Sequence, residues 1–437
     1  MLKNHPWSAE RSAIARSCRH AVGALLWVLG VAAPGSALAA IDLPGMNLTA
    51  HCVQLYGSGA SATLTQNNAY GWSCIQNGQY KPMDLNLACS TQHTDGFQAA
   101  YKNFNDPYSW YCVLRKSYTS MNSSNHTLYV WKGQYVALRT PDLTTCNVTQ
   151  LSLVIDGLDK GYSFYQSATG KTPTLNASYP SRHYLGRDSL AALPSGAVTG
   201  CSATDPACGY MGQTGIEFKF DTFQNYICPE AAAGKHNQVG FYELGRNFWF
   251  YDGELKSTNA NYAHAMVTGY AVLMRFLAMD YYSLPVTTAH ATQYTNIQAL
   301  VNTYRDANVL CGTAGATSTQ VSPGSSYCYK HDWTNTLVAN QGLGGFGTTD
   351  LFASFVLRLA RVHGWGFVLV LWRQVEALGN VTTPTESANN FVLAASRAAG
   401  ANLSDLFQYS WRWPVSSTVR TQLQGELGTP VSIIPYN

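Results

Sequence analysis

The sequence predicts an α+β protein. A small, disulfide-stapled, duplicated β-rich module comes first, then a β region, then a domain with a mainly helical C-terminal half. Three observations predict this. A motif containing two cysteines recurs 37 to 38 residues after its first appearance. Strand-like runs separated by turn residues fill 116–200. Beyond residue 238 the apolar residues fall at helical spacing over long stretches.

The chain opens with Lys3, Arg11, Arg16 and Arg19, an apolar run from Ala21 to Ala33, and the small-residue signal Ala37-Leu38-Ala39. This reads as a secretory signal peptide over 1–39, with cleavage before Ala40. The run is shorter than the roughly 20 residues a membrane span needs. No later apolar run is that long, so no transmembrane segment is expected in the mature chain. Without the leader the chain carries 23 basic and 23 acidic residues. A neutral chain with 12% charged residues offers no electrostatic case for nucleic acid or an acidic membrane face.

Cys18 leaves with the leader. The other ten are Cys52, Cys74, Cys89, Cys112, Cys146, Cys201, Cys208, Cys228, Cys311 and Cys328. An even number with no C-x-x-C pair predicts disulfides rather than a zinc cluster, in a secreted chain, extracellular or periplasmic.

The duplicated module occupies 40–115. Met46-Asn47-Leu48-Thr49-Ala50-His51-Cys52 matches Met83 to Cys89, and Ala69-Tyr70-Gly71-Trp72-Ser73-Cys74 matches Pro107 to Cys112. The simplest pairing closes each copy on itself, Cys52–Cys74 and Cys89–Cys112, although other pairings are open to the sequence. Trp72 and Trp110, each two residues before a cysteine, read as core. Tyr56, Tyr70, Tyr80, Tyr101, Phe104 and Tyr108 supply flat apolar faces of the kind that stack on neutral sugars. The module resembles small exported domains found beside extracellular enzymes.

A β-rich region is expected over 116–200. Thr127 to Trp131 and Tyr135 to Leu138 read as a hairpin. Leu151 to Asp156 reads as a strand, with the same pattern running on to Tyr165. Asn122, Asn125, Asn147 and Asn176 are N-x-S/T positions, relevant only in a host that glycosylates exported proteins.

The last domain spans 201–437. Gly215 to Phe220 alternates like a half-buried strand. A helix follows from Val239, with Phe241, Leu244, Gly245 and Phe248 on one face. Tyr242 and Arg246 stand one turn apart with Glu243 beside them. This is the layout of H-E-x-x-H, in which two histidines hold zinc and the glutamate activates water. Further helices are expected at 263–282, 294–305, 350–378, 385–399 and 419–423. A loop over 311–348 is expected to be tied by Cys311–Cys328.

Over 205–425 the chain resembles the enhancin-like, mucin-targeting branch of the gluzincin metallopeptidases. The resemblance rests on the strand at 215–220, on Tyr242-Glu243-Leu244-Gly245-Arg246-Asn247, and on Leu403-Ser404-Asp405-Leu406-Phe407 with Trp413-Pro414-Val415-Ser416. It implies a zincin-like fold, H-E-L-G-H-N on the motif helix and a downstream glutamate as third ligand, near whose spacing Glu254 lies. Here the two histidines are Tyr242 and Arg246. A phenol is protonated near neutrality and a guanidinium is a permanent cation, so no metal ligand and no zinc are expected. Glu243, as the remaining catalytic group, pairs more readily with Arg246 or Arg275 than with an activated water. The expectation is a pseudoenzyme that binds extracellular glycan or glycoprotein through Tyr242, Arg246, Asn247 and Glu254. The alternative is an active hydrolase with substitute ligands, or a metal-free one using Glu243. His236 and His264 read as core or surface residues. Asp252 with Glu254, or Glu243 with Glu217, could form a glycosidase pair only at a fixed separation. No G-x-S-x-G occurs.

Overall fold

A computed structural model describes residues 46–92, 97–101 and 103–436. The expected leader lies outside them. The chain is mixed α+β, with sheets and disulfides towards the N-terminal side and a helical C-terminal half. It divides into two compact units, one of 46–159 with 174–237, the other of 160–173 with 238–436.

The first unit begins with the two copies. Copy one is α1 (Leu48–Tyr56), β1 (Ser61–Leu64), β2 (Trp72–Gln76) and β3 (Gln79–Lys81); copy two is α2 (Leu85–Gln92), β4 (Phe97–Tyr101) and β5 (Trp110–Thr119). Ala62 faces Cys74 across β1–β2, and Ala99 faces Cys112 across β4–β5. Cys52–Cys74 and Cys89–Cys112 close each copy on itself, and Cys311–Cys328 pairs as expected. Cys146–Cys228 and Cys201–Cys208 complete five disulfides, the pattern of a chain folded under oxidising conditions.

β5 continues into a larger sheet with β6 (Asn125–Lys132), β7 (Val136–Thr140), β8 (His183–Tyr184), β9 (Arg187–Ala192), β10 (Ala207–Gly209) and β11 (Ile216–Phe218). Its order is β10-β11-β9-β7-β6-β5-β4, with β8 beside β9. The β6–β7 hairpin is antiparallel, while β9 runs parallel to β7 and β11.

One expectation fails. Residues 151–165, expected as strand, belong to α3 (Val148–Thr169). Leu151, Ile155, Leu158, Tyr162 and Tyr165 are buried, a helical spacing that outweighs the β-branched and glycine content. The start signal is a capping box. Gln150 N–H donates to Asn147 Oδ1 at 2.9 Å, and Asn147 N–H donates to Gln150 Oε1 at 2.7 Å.

Within the second unit lie α4 (Gln238–Asn247), α5 (Ala260–Tyr281), α6 (Thr288–Asp306), α7 (Thr348–Glu376), α8 (Pro384–Ala399) and α9 (Ser417–Leu427). An aromatic core joins Phe355, Phe391, Phe407, Trp411 and Trp413. α7 matches the helix expected at 350–378. By length and composition it is the one helix among the described residues that could cross a membrane, yet 67% of its most apolar stretch is buried. Arg358, Arg361 and His363 interrupt its apolar run. Gly364, at φ 72°, breaks its regularity, a conformation open to glycine. The expected loop at 311–348 contains part of a small hairpin, Asn308–Leu310 with Tyr327–Tyr329.

Candidate functional site

α4 is held by its apolar face. Phe241, Leu244 and Phe248 are buried, Phe248 against Tyr162 and Tyr165 with ring centroids at 4.9 and 5.5 Å. The Tyr165 hydroxyl donates to the Phe241 carbonyl, and the Tyr270 hydroxyl to that of Phe248, both at 2.8 Å. Gly161 of α3 permits this approach, since a Cβ there would stand 3.0 Å from the Phe241 ring. The helix ends by tightening. Phe248 N–H and Trp249 N–H bond to the carbonyls three residues back.

The polar face carries the motif. Glu243 is buried and Arg246 half-buried, with Arg246 Nε 3.9 Å from Glu243 Oε2. Burial pushes the Tyr242 phenol above its usual range; Arg246 opposes this by charge and a hydrogen bond, Glu243 reinforces it, and Arg275 opposes it. Tyr242 therefore remains a neutral phenol near pH 7. Arg275 lies over the Tyr242 ring at 5.6 Å and the Phe276 ring at 4.6 Å. Burial brings its pKa down to about 10, with Asp350, Tyr242 and Tyr165 acting the other way. It is still a cation at neutral pH.

The structure thus brings Tyr242, Glu243 and Arg246 together and adds Arg275 of α5. The buried Asn247 closes the helix. Glu254 belongs to a single turn, Asp252–Leu255, where it acts on Tyr251 together with Glu376 and Arg373. Asp252 is occupied by the Trp249 indole at 2.6 Å and by Lys256 at 3.0 Å. In the other unit Glu217 accepts from the Tyr118 hydroxyl and from the backbone N–H groups of Met121 and Gly200. That carboxylate is built into the sheet. His264 is exposed and His236 buried. Sequence reasoning missed Asp350, whose action on Arg275 depends on how α7 packs near α5.

The donor set does not fit zinc. A neutral phenol and a guanidinium stand where two imidazoles would be required, and a second guanidinium lies over the phenol. Among the described residues, no three His, Cys, Asp or Glu side chains gather in a group that could hold a metal ion. What the arrangement offers instead is a row of donors, one buried carboxylate and a phenol.

No family model matches the chain, and no curated protein matches it. Among solved structures it is similar to a functionally unknown conserved protein from Bacillus anthracis, with 11% identity and a TM-score of 0.45, over 71% of this chain and 53% of that one. It is similar to the ZmpB metallopeptidase from Clostridium perfringens, with 12% identity and a TM-score of 0.41, over 71% and 50%. It is also similar to the M60 catalytic domain of ZmpC from the same organism, solved with the sialyl T antigen, with 13% identity and a TM-score of 0.41 over 71% and 50%. The chain spans about half the length of these proteins. Likeness at this level carries no ligand, reaction or residue role to this chain.

Proposed function

We propose that this is an exported protein whose zincin-like domain is catalytically degenerate and binds glycan or glycoprotein. The observation that carries the reading is the Arg246 guanidinium, set beside Tyr242 and Glu243 on the motif helix. A fixed positive charge there opposes a metal cation and leaves Glu243 facing a guanidinium rather than a metal-bound water. Of the residues expected to bind, Tyr242 and Arg246 are half-buried and kept in the proposal, whereas Asn247 is fully buried and Glu254 lies on a separate turn. A guanidinium donor suits hydroxyl and carbonyl oxygens. The exposed rings of the duplicated module are in keeping with a sugar ligand.

Metal analysis of the purified mature chain tests the reading. Less than 0.1 zinc per chain, roughly the level of adventitious metal, is expected after equilibration with zinc and desalting. One zinc per chain, lost in Glu243→Ala or Glu254→Ala, would sink it and establish the active hydrolase instead. The double change Tyr242→His with Arg246→His is expected to create zinc affinity in a zincin-like pocket. No gain in a folded double variant would remove the zincin-like assignment.

A further inference from the structure

The two copies of the module meet through reciprocal contacts. The Trp72 indole N–H donates to the Pro107 carbonyl at 2.7 Å, and the Trp110 indole N–H donates to the Ala69 carbonyl. Trp72 corresponds to Trp110 in the duplication, and Ala69 to Pro107. Each copy therefore makes to its sister the contact its sister makes to it, the signature of a two-fold arrangement. Trp72 and Trp110 are half-buried, not core as the sequence suggests. Their indole nitrogens are tied to backbone, which fixes the rings.

Two cavities follow from this pairing. The first, about 400 Å³, has Trp72 and Tyr108 as walls, with Asn47 and Thr49 at the start of α1. The second, about 520 Å³, has Trp110 and Tyr70 as walls, with Asp84 and Asn86 at the start of α2. Both volumes lie within the roughly 300–1,000 Å³ usual for small-ligand sites. Every one of these residues maps onto its counterpart under the sequence repeat. In each cavity a tryptophan of one copy meets a tyrosine of the other; Trp110 also borders the first cavity and Tyr101 the second. The rings meet at nearly the same angle. Trp72–Tyr108 centroids are 5.5 Å apart at 81°, and Tyr70–Trp110 centroids are 5.8 Å apart at 80°. The polar groups are duplicated too. Thr49 Oγ1 accepts Ala62 N–H, and Asn86 Oδ1 accepts Ala99 N–H. Asn47 and Asp84 each accept a backbone N–H three residues on.

Tyr108 is 75% exposed and Tyr70 65% exposed. Open aromatic rings set in a corner beside amide, hydroxyl and carboxylate groups match a pyranose, which has an apolar face and a hydroxyl rim. The charge of the linings selects the class. Among the described residues Asp84 is the one charged side chain lining either cavity, and no cation is present to receive an acidic sugar.

We propose that the duplicated module is a two-site lectin for neutral saccharides, with one sugar unit in each aromatic corner. The proposal takes glycan binding from the reading above and relocates it to the module. Two equivalent sites on one rigid pair favour branched or polymeric glycans. A ligand able to engage both gains about 10²-fold or more in apparent affinity over a single unit.

The test uses the full mature chain, with calorimetry and tryptophan fluorescence. The probes are neutral trisaccharides of glucose, N-acetylglucosamine, mannose and galactose, with trigalacturonate as the acidic control. At least one neutral probe is expected to bind at two per chain, and trigalacturonate not at all. Tyr108→Ala and Tyr70→Ala, both at exposed positions, are each expected to leave one site. The double variant is expected to lose at least about tenfold in affinity at both. A stoichiometry of one, no binding of any neutral probe, or wild-type binding by a folded double variant would overturn the proposal. Binding to mucin-coated surfaces separates it from the reading of the zincin-like domain. Mucin binding that survives the double variant but is lost in Arg246→Ala leaves that reading standing and overturns this one. Mucin binding lost in the double variant and retained in Arg246→Ala does the reverse.

Discussion

The two copies of the module follow the same path up to their second cysteine and then part. After Cys74, Asn77-Gly78 folds the chain back from β2 into β3. Both residues have positive φ, 52° and 75°, the requirement of a tight type I′ hairpin turn. The matching residues after Cys112 are Arg115 and Lys116. They favour no such turn, so β5 runs on to Thr119 and pairs with β6. One duplicated segment therefore ends as a closed three-stranded sheet, while the other joins a larger one. Two residues at a turn set the strand count, whereas the cysteines and tryptophans set the fold of the repeat.

The largest expected effect tests the shared half of this comparison. Removing Cys52–Cys74 or Cys89–Cys112 by paired Cys→Ser changes opens loops of nearly equal length, with separations of 22 and 23. Each is expected to cost about 3 kcal/mol, and calorimetry should find the two within about 1 kcal/mol of each other. A much smaller loss in one copy would break the equivalence.

The next effect probes where the copies part. Gly78→Ala forces an alanine into a left-handed conformation and should cost about 1–2 kcal/mol. Lys116→Ala at the matching position should stay within about 0.5 kcal/mol. Equal losses would show that the turn chemistry does not distinguish the copies. Trp72→Phe and Trp110→Phe each delete one of the reciprocal indole hydrogen bonds. Denaturant unfolding should register about 1 kcal/mol for each. An effect in only one would mean that the two-fold contact is unequal. The smallest effect is Tyr80→Ala. Tyr80 is 66% exposed and lines neither cavity, so stability within about 0.5 kcal/mol and unchanged sugar binding are expected.

The motif helix offers a contrast in legibility. Its position, its buried face and the neighbourhood of Tyr242, Glu243 and Arg246 follow from spacing alone, because residues three and four apart on a helix must be neighbours. Arg275 over the Tyr242 ring, and Asp350 acting on Arg275, do not follow, because they come from other helices. α3 shows the opposite error. Its sequence carries a capping box at Asn147 and Gln150, but Val154, Ile155, Gly157 and Gly161 favour strand and turn. The register of buried positions decides, and only packing fixes which face is buried.

Local order determined the repeats, three of the five disulfides, most of the C-terminal helices and the grouping of Tyr242, Glu243 and Arg246 on one helix. These rest on contacts between residues close in the chain or repeated along it. Tertiary structure alone decided that Trp72 and Trp110 stand half-open as cavity walls, that Cys146 pairs with Cys228 across 82 residues, and that a second guanidinium faces Tyr242. Each depends on which distant surfaces are brought together. That outcome comes from the burial of apolar area across the whole chain, which no local pattern encodes.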